Sequence, residues 1–254
     1  MDPIHDMHVS EPGPVVVDFL LTELKMSGIS IMEDWMSVVE AYLGAAGQGV
    51  ALLEAPEVAT AWEQPSALAK MTVGGLAGHL AYQILSVSSA LQVGANSALQ
   101  EAPAQEVPIP LLEHYARAAW IDTPLDGEVN AGIRAKGEGI ASQGSLWLAE
   151  LARTSFVEQR TKLAECAGDQ PVFMPQTGWA LRLDDFLVTR MLELAVHMDD
   201  LAVSVGLAVQ ELPEEAFDLV LVLLARLAAR RHGQAALLRA LARLERAPAA
   251  INAI

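Results

Sequence analysis

The sequence predicts an all-α protein, a four-helix bundle with a short helical extension at its C-terminus. Three observations carry that expectation. Apolar residues recur at three- and four-residue spacing in four long stretches. No stretch alternates apolar and polar residues over the length that a sheet would need. The composition is dominated by Ala, Leu and Val with only 5% aromatics, a mix suited to helices packed closely through small side chains. At 254 residues and 52% hydrophobic, the chain can bury a sizeable core and is too apolar for wholesale disorder.

Residues 1–31 read as an N-terminal extension. Met1–Pro14 is polar with three prolines, Val15–Lys25 is a short amphipathic piece before Ser27 and Gly28, and Met26 and Met32 are both available as starts. From Met32 a helical pattern runs through Trp35, Val38, Val39, Tyr42, Leu43 and Ala46. Gly44, Gly47 and Gly49 weaken its second half, each by about 1 kcal/mol relative to Ala. Pro56–Lys70 reads as a connection anchored by Trp62, and Thr72 is placed to cap the next helix. There Leu76, Leu80, Ile84, Val87 and Leu91 form an apolar stripe, with His79, Gln83 and Ser86 as a polar stripe beside it. Met71–Gln100 contains no Asp, Glu, Lys or Arg, a composition that also suits a membrane span. The polar residues spaced along it and its weak basic flanks favour a buried bundle helix.

Three prolines in Ala102–Pro110 end that helix, and Leu111–Trp120 is a short helical piece before the loop Asp122–Gly127. A third long helix is expected over Ile140–Cys166, with Leu146, Leu148, Leu151, Phe156, Val157 and Leu163 on its packing faces. Gly168–Trp179, with two prolines and two glycines, reads as a connection. The fourth helix is expected over Asp184–Val205 and stopped by Gly206. Leu212–Arg231 and Gln234–Arg246 form a C-terminal pair broken at Gly233. The expected segments are thus an extension (1–31), a bundle (32–207) and a C-terminal helical tail (208–254).

The formal charge is −16, which repels phosphate backbones and argues against nucleic acid as a partner. The charge is uneven: from Arg226 onward six arginines face one acid, Glu245. A basic tail on an acidic body suits docking onto that body or reaching an anionic small molecule. The single cysteine, Cys166, excludes an intramolecular disulfide and a Cys-based zinc site, and reads as a small buried hydrophobe. The N-terminus has no basic region ahead of an apolar core, so a cytoplasmic location without a membrane partner is expected. Oligomeric state, monomer or dimer, is not legible.

Six histidines are present, of which His5 and His8 sit in the polar leader, and His114 and His232 read as structural or exposed. His197 is informative because Glu193 precedes it by four residues, and such positions share a helix face about 5–6 Å apart at Cβ. From there a carboxylate and an imidazole can converge on one cation. His79, on the polar stripe of another long helix, can supply a third ligand across the bundle. Two histidines and a carboxylate with open positions is the arrangement of catalytic zinc sites and of some non-haem iron sites. The same residues also admit a plainer reading, with Glu193 paired to Arg190 one turn earlier and His79 a satisfied core histidine.

At these residues the chain resembles a known family. Trp62–Ala81 (WEQPSALAKMTVGGLAGHLA) resembles a segment of mycothiol-dependent maleylpyruvate isomerases, in which a Trp and a Pro-Ser precede a helix start carrying the metal-binding His. Glu193–Leu207 (ELAVHMDDLAVSVGL) resembles the second motif of that family. The ending RRHGQAALLRALARLER is similar to one common in actinobacterial members. The resemblance implies a DinB-like four-helix bundle, with a divalent metal, usually zinc, on His79, Glu193 and His197. It also implies mycothiol as the thiol cosubstrate.

A small-molecule thiol bound at such a dication is deprotonated, which converts a group of pKa ~8.5 into a ready nucleophile at neutral pH. The expected function is therefore thiol addition, S-transfer or cis–trans isomerisation of a small electrophile. Gln83 and Asp200 are the nearest candidates to orient the imidazoles from behind, and Arg226, Arg230 and Arg231 to neutralise a carboxylate on the substrate. Two competing readings are a metal-dependent hydrolase without a thiol and a non-enzymatic metal-containing sensor or interaction bundle. A closed structural site normally takes four protein ligands, and three are named here, which favours an open one.

Overall fold

The first long helix, α1 (Trp35–Leu53), buries Val38, Val39, Tyr42, Ala45, Ala46 and Val50, the three- and four-residue spacing that its sequence shows. A computed structural model of the chain describes residues 35–96, 107–121, 123–124 and 126–254; the expected 1–31 extension and most of the proline-rich break lie outside the described residues. The one-turn helix α2 (Pro56–Thr60) and a connection lead to α3 (Val73–Asn96). Thr72 caps α3, its Oγ1 accepting the N–H of Gly75 at 2.9 Å. Trp62 packs over Gly74, where an added Cβ would lie 2.7 Å from the indole. The expected stripe of Leu76, Leu80, Ile84, Val87 and Leu91 is buried.

Next come α4 (Leu111–Arg117), α5 (Glu128–Ala141), α6 (Ser145–Lys162), the hairpin β1–β2 (Pro171–Met174 and Trp179–Arg182) and α7 (Leu183–Val205). Helices α8 (Glu214–His232) and α9 (Gln234–Ala242) complete the order. Helices α1, α3, α6 and α7 form the bundle, each packed against at least two of the others, while α5 lies along α3. Helix α8 buries Leu219, Val220, Leu223 and Leu227 and packs on α1 and α7. The fold is all-α apart from the hairpin. Among the described residues one helix, α1, is long and apolar enough to cross a membrane, and half of it is buried within the bundle.

Three features depart from the expected elements. The third long helix starts at Ser145, because Gly144 turns the chain with φ of 90°. Its Leu146 and Val157, expected on packing faces, are exposed. Helix α5 precedes it, in a segment (EVNAGIRAKGEGIA) whose glycines and charges show no apolar stripe. That helix exists through contact: a Cβ on Gly78 would lie 2.1 Å from the carbonyl oxygen of Gly137, so the backbones of α3 and α5 touch. The connection before α7 contains an antiparallel hairpin, with Pro171 opposite Arg182 and Met174 opposite Trp179. Four-residue strands are too short for an alternation to stand out in the sequence.

Candidate metal centre

Helix α3 presents His79 one turn after its buried Leu76, on the side facing α7. Helix α7 begins at the hairpin and ends at Gly206, whose φ of 73° is the left-handed turn that only a residue without Cβ adopts readily. Between these ends α7 carries Glu193 and His197 on one face, toward His79. The three ligand-capable atoms lie within 4.8 Å of one another. The Nε2 atoms of His79 and His197 are 3.1 Å apart. Glu193 Oε2 lies 3.7 Å from the first and 3.3 Å from the second. Side-chain exposures of 14% for His79, 15% for His197 and 18% for Glu193 leave the cluster mostly buried.

The donor set fits a dication. Two nitrogen or oxygen donors, each about 2.1 Å from a shared tetrahedral ion, stand about 3.4 Å apart, and the three separations bracket that value. The donors are borderline in softness and number three, leaving a fourth position for an exogenous atom, as zinc chemistry requires.

Electrostatics support the same picture. Burial opposes ionisation of Glu193, but hydrogen bonds from His197 and His79 outweigh it and hold the carboxyl well below the usual range. For His197 burial favours the neutral ring, yet Asp200 and Glu193 together push the imidazole up to about 9. At His79 burial prevails over the help of Glu193 and lowers the ring. Without an ion, the carboxylates of Glu193 and Asp200 thus favour a proton on His197, which a dication bound there would displace.

Asp200 accepts from His197 Nδ1 at 3.0 Å, which turns the Nε2 lone pair toward the cluster. Gln83 does not touch the His79 ring. Its amide nitrogen donates to the backbone oxygen of His79 at 2.9 Å, and its oxygen accepts from Arg190 Nη1 at 2.6 Å. Arg190 is not within ion-pair distance of Glu193; its Nε donates to Thr189 Oγ1 at 3.1 Å instead. Of the C-terminal arginines, Arg230 donates to the Leu112 carbonyl at 3.0 Å and pairs with Glu113 at 3.7 Å, tying α8 to α4. Arg226 and Arg231 are exposed on α8. Cys166 is half-buried, its thiol pushed up by burial.

Two residues near the centre were assigned no part in the site from sequence. Arg190 lies one turn before Glu193, and the signal was a lone cation inside an otherwise apolar stretch. His114, read as structural or exposed, is buried and accepts from Trp179 Nε1 at 3.2 Å through Nδ1. Because an indole only donates, that contact leaves the imidazole neutral with its proton on Nε2. Burial, then the charge of Arg190, pushes it down to about 4.

The class defined by fold and site is an all-α bundle with a three-residue candidate metal centre between two of its long helices. No family model and no curated protein matches the sequence. Among solved structures the chain is similar to the crystal structure of the mycothiol-dependent maleylpyruvate isomerase, at 18% identity and a TM-score of 0.44 over 78% of this chain and 72% of that chain. It is similar to a histidine-to-alanine variant of that isomerase at 17% identity, with the same coverage and TM-score.

Proposed function

We propose that this chain is a metal-dependent, thiol-using enzyme of the cytoplasm. It uses a low-molecular-weight thiol, mycothiol by the resemblance of its two motifs, in thiol addition, S-transfer or cis–trans isomerisation of a small electrophile. The observation that carries the reading is the convergence of His79, Glu193 and His197 at separations suited to one dication. These three residues would hold the ion, zinc above all. Such an ion supplies Lewis acidity that favours thiolate over thiol. Asp200 fixes the tautomer of His197 and keeps its Nε2 aimed inward. The low exposure of all three side chains restricts water at the site, which strengthens every charge interaction there.

Metal analysis of the purified chain combined with a thiol-addition assay tests this. One zinc per chain and turnover that requires the thiol are expected. Turnover that ignores the thiol would make the protein a hydrolase, and absence of turnover with a panel of electrophiles would leave a non-enzymatic bundle. His197→Ala should abolish metal retention; an unchanged metal content in that variant overturns the ligand assignment.

A further inference from the structure

We propose that α9 is an interaction helix that docks on a second copy of this chain, its Leu238, Leu241 and Leu244 seated on Phe217 and Leu221 of the other copy's α8. The inference stands apart from the metal and thiol reading.

Helix α9 lacks what a helix needs to persist by itself. It is nine residues long, no side chain caps its N-terminus, and its first turn holds no acid. Isolated helices below about 12–15 residues are marginal in water, and burial of an apolar face normally makes up the difference. Within one copy α9 buries none of its residues. Leu238 and Leu241 are 57% and 74% exposed, and Leu244, in the single 3-10 turn that follows, is 94% exposed. Recurring every three residues, they share one side of the helix, with Arg239, Arg243 and Arg246 interleaved.

The matching surface is on α8. Phe217 and Leu221, one turn apart, are half exposed, and Glu214, Glu215 and Asp218 stand exposed beside them. Among the described residues none of these acids has a cation within ion-pair distance. Arg239 and Arg243 likewise have no acid within that distance among the described residues, and Arg246 reaches only its neighbour Glu245, at 3.7 Å. A leucine stripe with arginines thus complements an apolar pair with acids. Rim charges of this kind add little affinity, but they set orientation and exclude wrong pairings.

Within one copy the two surfaces do not meet, since both remain exposed. Two copies about a two-fold axis bring them together. Antiparallel α8 helices set the C-terminal end of each, where α9 begins, beside the N-terminal half of the other, and every contact then occurs twice. A lipid surface would accept the leucines alone. The acids on α8 and the net charge of −16 repel an anionic leaflet, so the second copy is the better match.

Sedimentation velocity of the full chain from about 1 to about 100 µM, a span that resolves ordinary homodimer affinities, tests this. A species of twice 27.1 kDa should grow with concentration. Leu241→Asp should keep the protein monomeric throughout with its helical circular-dichroism signal unchanged, because α9 buries nothing within a copy. Arg239→Glu with Arg243→Glu should weaken the dimer at least about tenfold through like-charge juxtaposition, and adding Glu214→Arg and Asp218→Arg should restore it. A natural chain that stays monomeric, a dimer that survives Leu241→Asp, or a reversed pair of surfaces that fails to recover the dimer overturns the proposal. So does a monomer that floats with vesicles of phosphatidylcholine and phosphatidylserine, which gives the face to lipid. Should Leu241→Asp fail to fold, the charge variants decide, and an unweakened dimer in Arg239→Glu with Arg243→Glu overturns it.

Discussion

Asp200 acts on the candidate centre through a single hydrogen bond. It accepts a hydrogen bond from the Nδ1–H of His197 at 3.0 Å, which leaves Nε2 as the nitrogen that can face an ion. Asp200→Asn keeps the shape and removes the charge. Metal retention should fall about 10–100-fold in a chelator competition while the helical circular-dichroism signal stays intact; unchanged affinity would show that packing alone orients the ring. Asp185, in the first turn of α7, poses a different problem. Burial and then the charge of Asp184 push its carboxyl from 3.8 to about 6, although Arg182 works the other way. The folded state therefore holds this proton more tightly than the unfolded chain. Its contribution to stability is full below pH 3.8 and is lost as pH rises through about 6. Asp185→Asn should accordingly raise Tm at neutral pH, with the gain shrinking on acidification. A gain confined to acid pH would contradict the assignment. The pairing of Glu193 with His197 was legible because it needs only one helix period. The turning of Arg190 toward Gln83 was not, since its acceptor sits on another helix.

At the scale of elements, the contact between α3 and α5 controls where His79 sits. A Cβ on Gly78 would lie 2.1 Å from the Gly137 oxygen, and one on Gly137 would lie 2.5 Å from the Gly75 oxygen. Neither neighbour is a side chain that can swing aside. Gly78→Ala should therefore cost about 1–3 kcal/mol in denaturant unfolding, as overpacked interiors do, and should weaken metal retention because the adjacent residue is His79. A neutral outcome would mean that α5 slides along α3 without penalty. This helix escaped the periodicity reading for the same reason. Two helices that meet backbone to backbone need glycine and alanine at the seam, and these leave no apolar stripe to read. Leu146 and Val157 mislead in the opposite sense: apolar residues at helical spacing, they are exposed on α6, because no element among the described residues covers them.

For the molecule as a whole, a buried polar layer and an excess of negative charge oppose each other. Tyr42 of α1 donates to Gln159 of α6 at 2.8 Å, and Gln159 donates to the Ile84 carbonyl and to Ser88 of α3, both at 2.8 Å. Gln159→Leu would strand the buried Tyr42 hydroxyl, at a cost of about 1–3 kcal/mol in equilibrium unfolding; an unchanged stability would mean that it finds another partner. The net charge of −16 repels itself, so Tm should rise between very low ionic strength and ~0.15 M, where the screening length is about 8 Å. A flat response would show that the charges are already locally paired.

The amino-acid sequence alone determined the helical class, the buried stripe of α3, the caps at Thr72 and Gly206, and the shared face of Glu193 and His197. These are properties of one segment, written in its period and its terminal residues. Only the tertiary structure decided that His79 meets that face, that Gln83 reaches Arg190 rather than the His79 ring, and that α5 forms. Each depends on which side chains from distant segments share a space, and a local repeat carries no record of that.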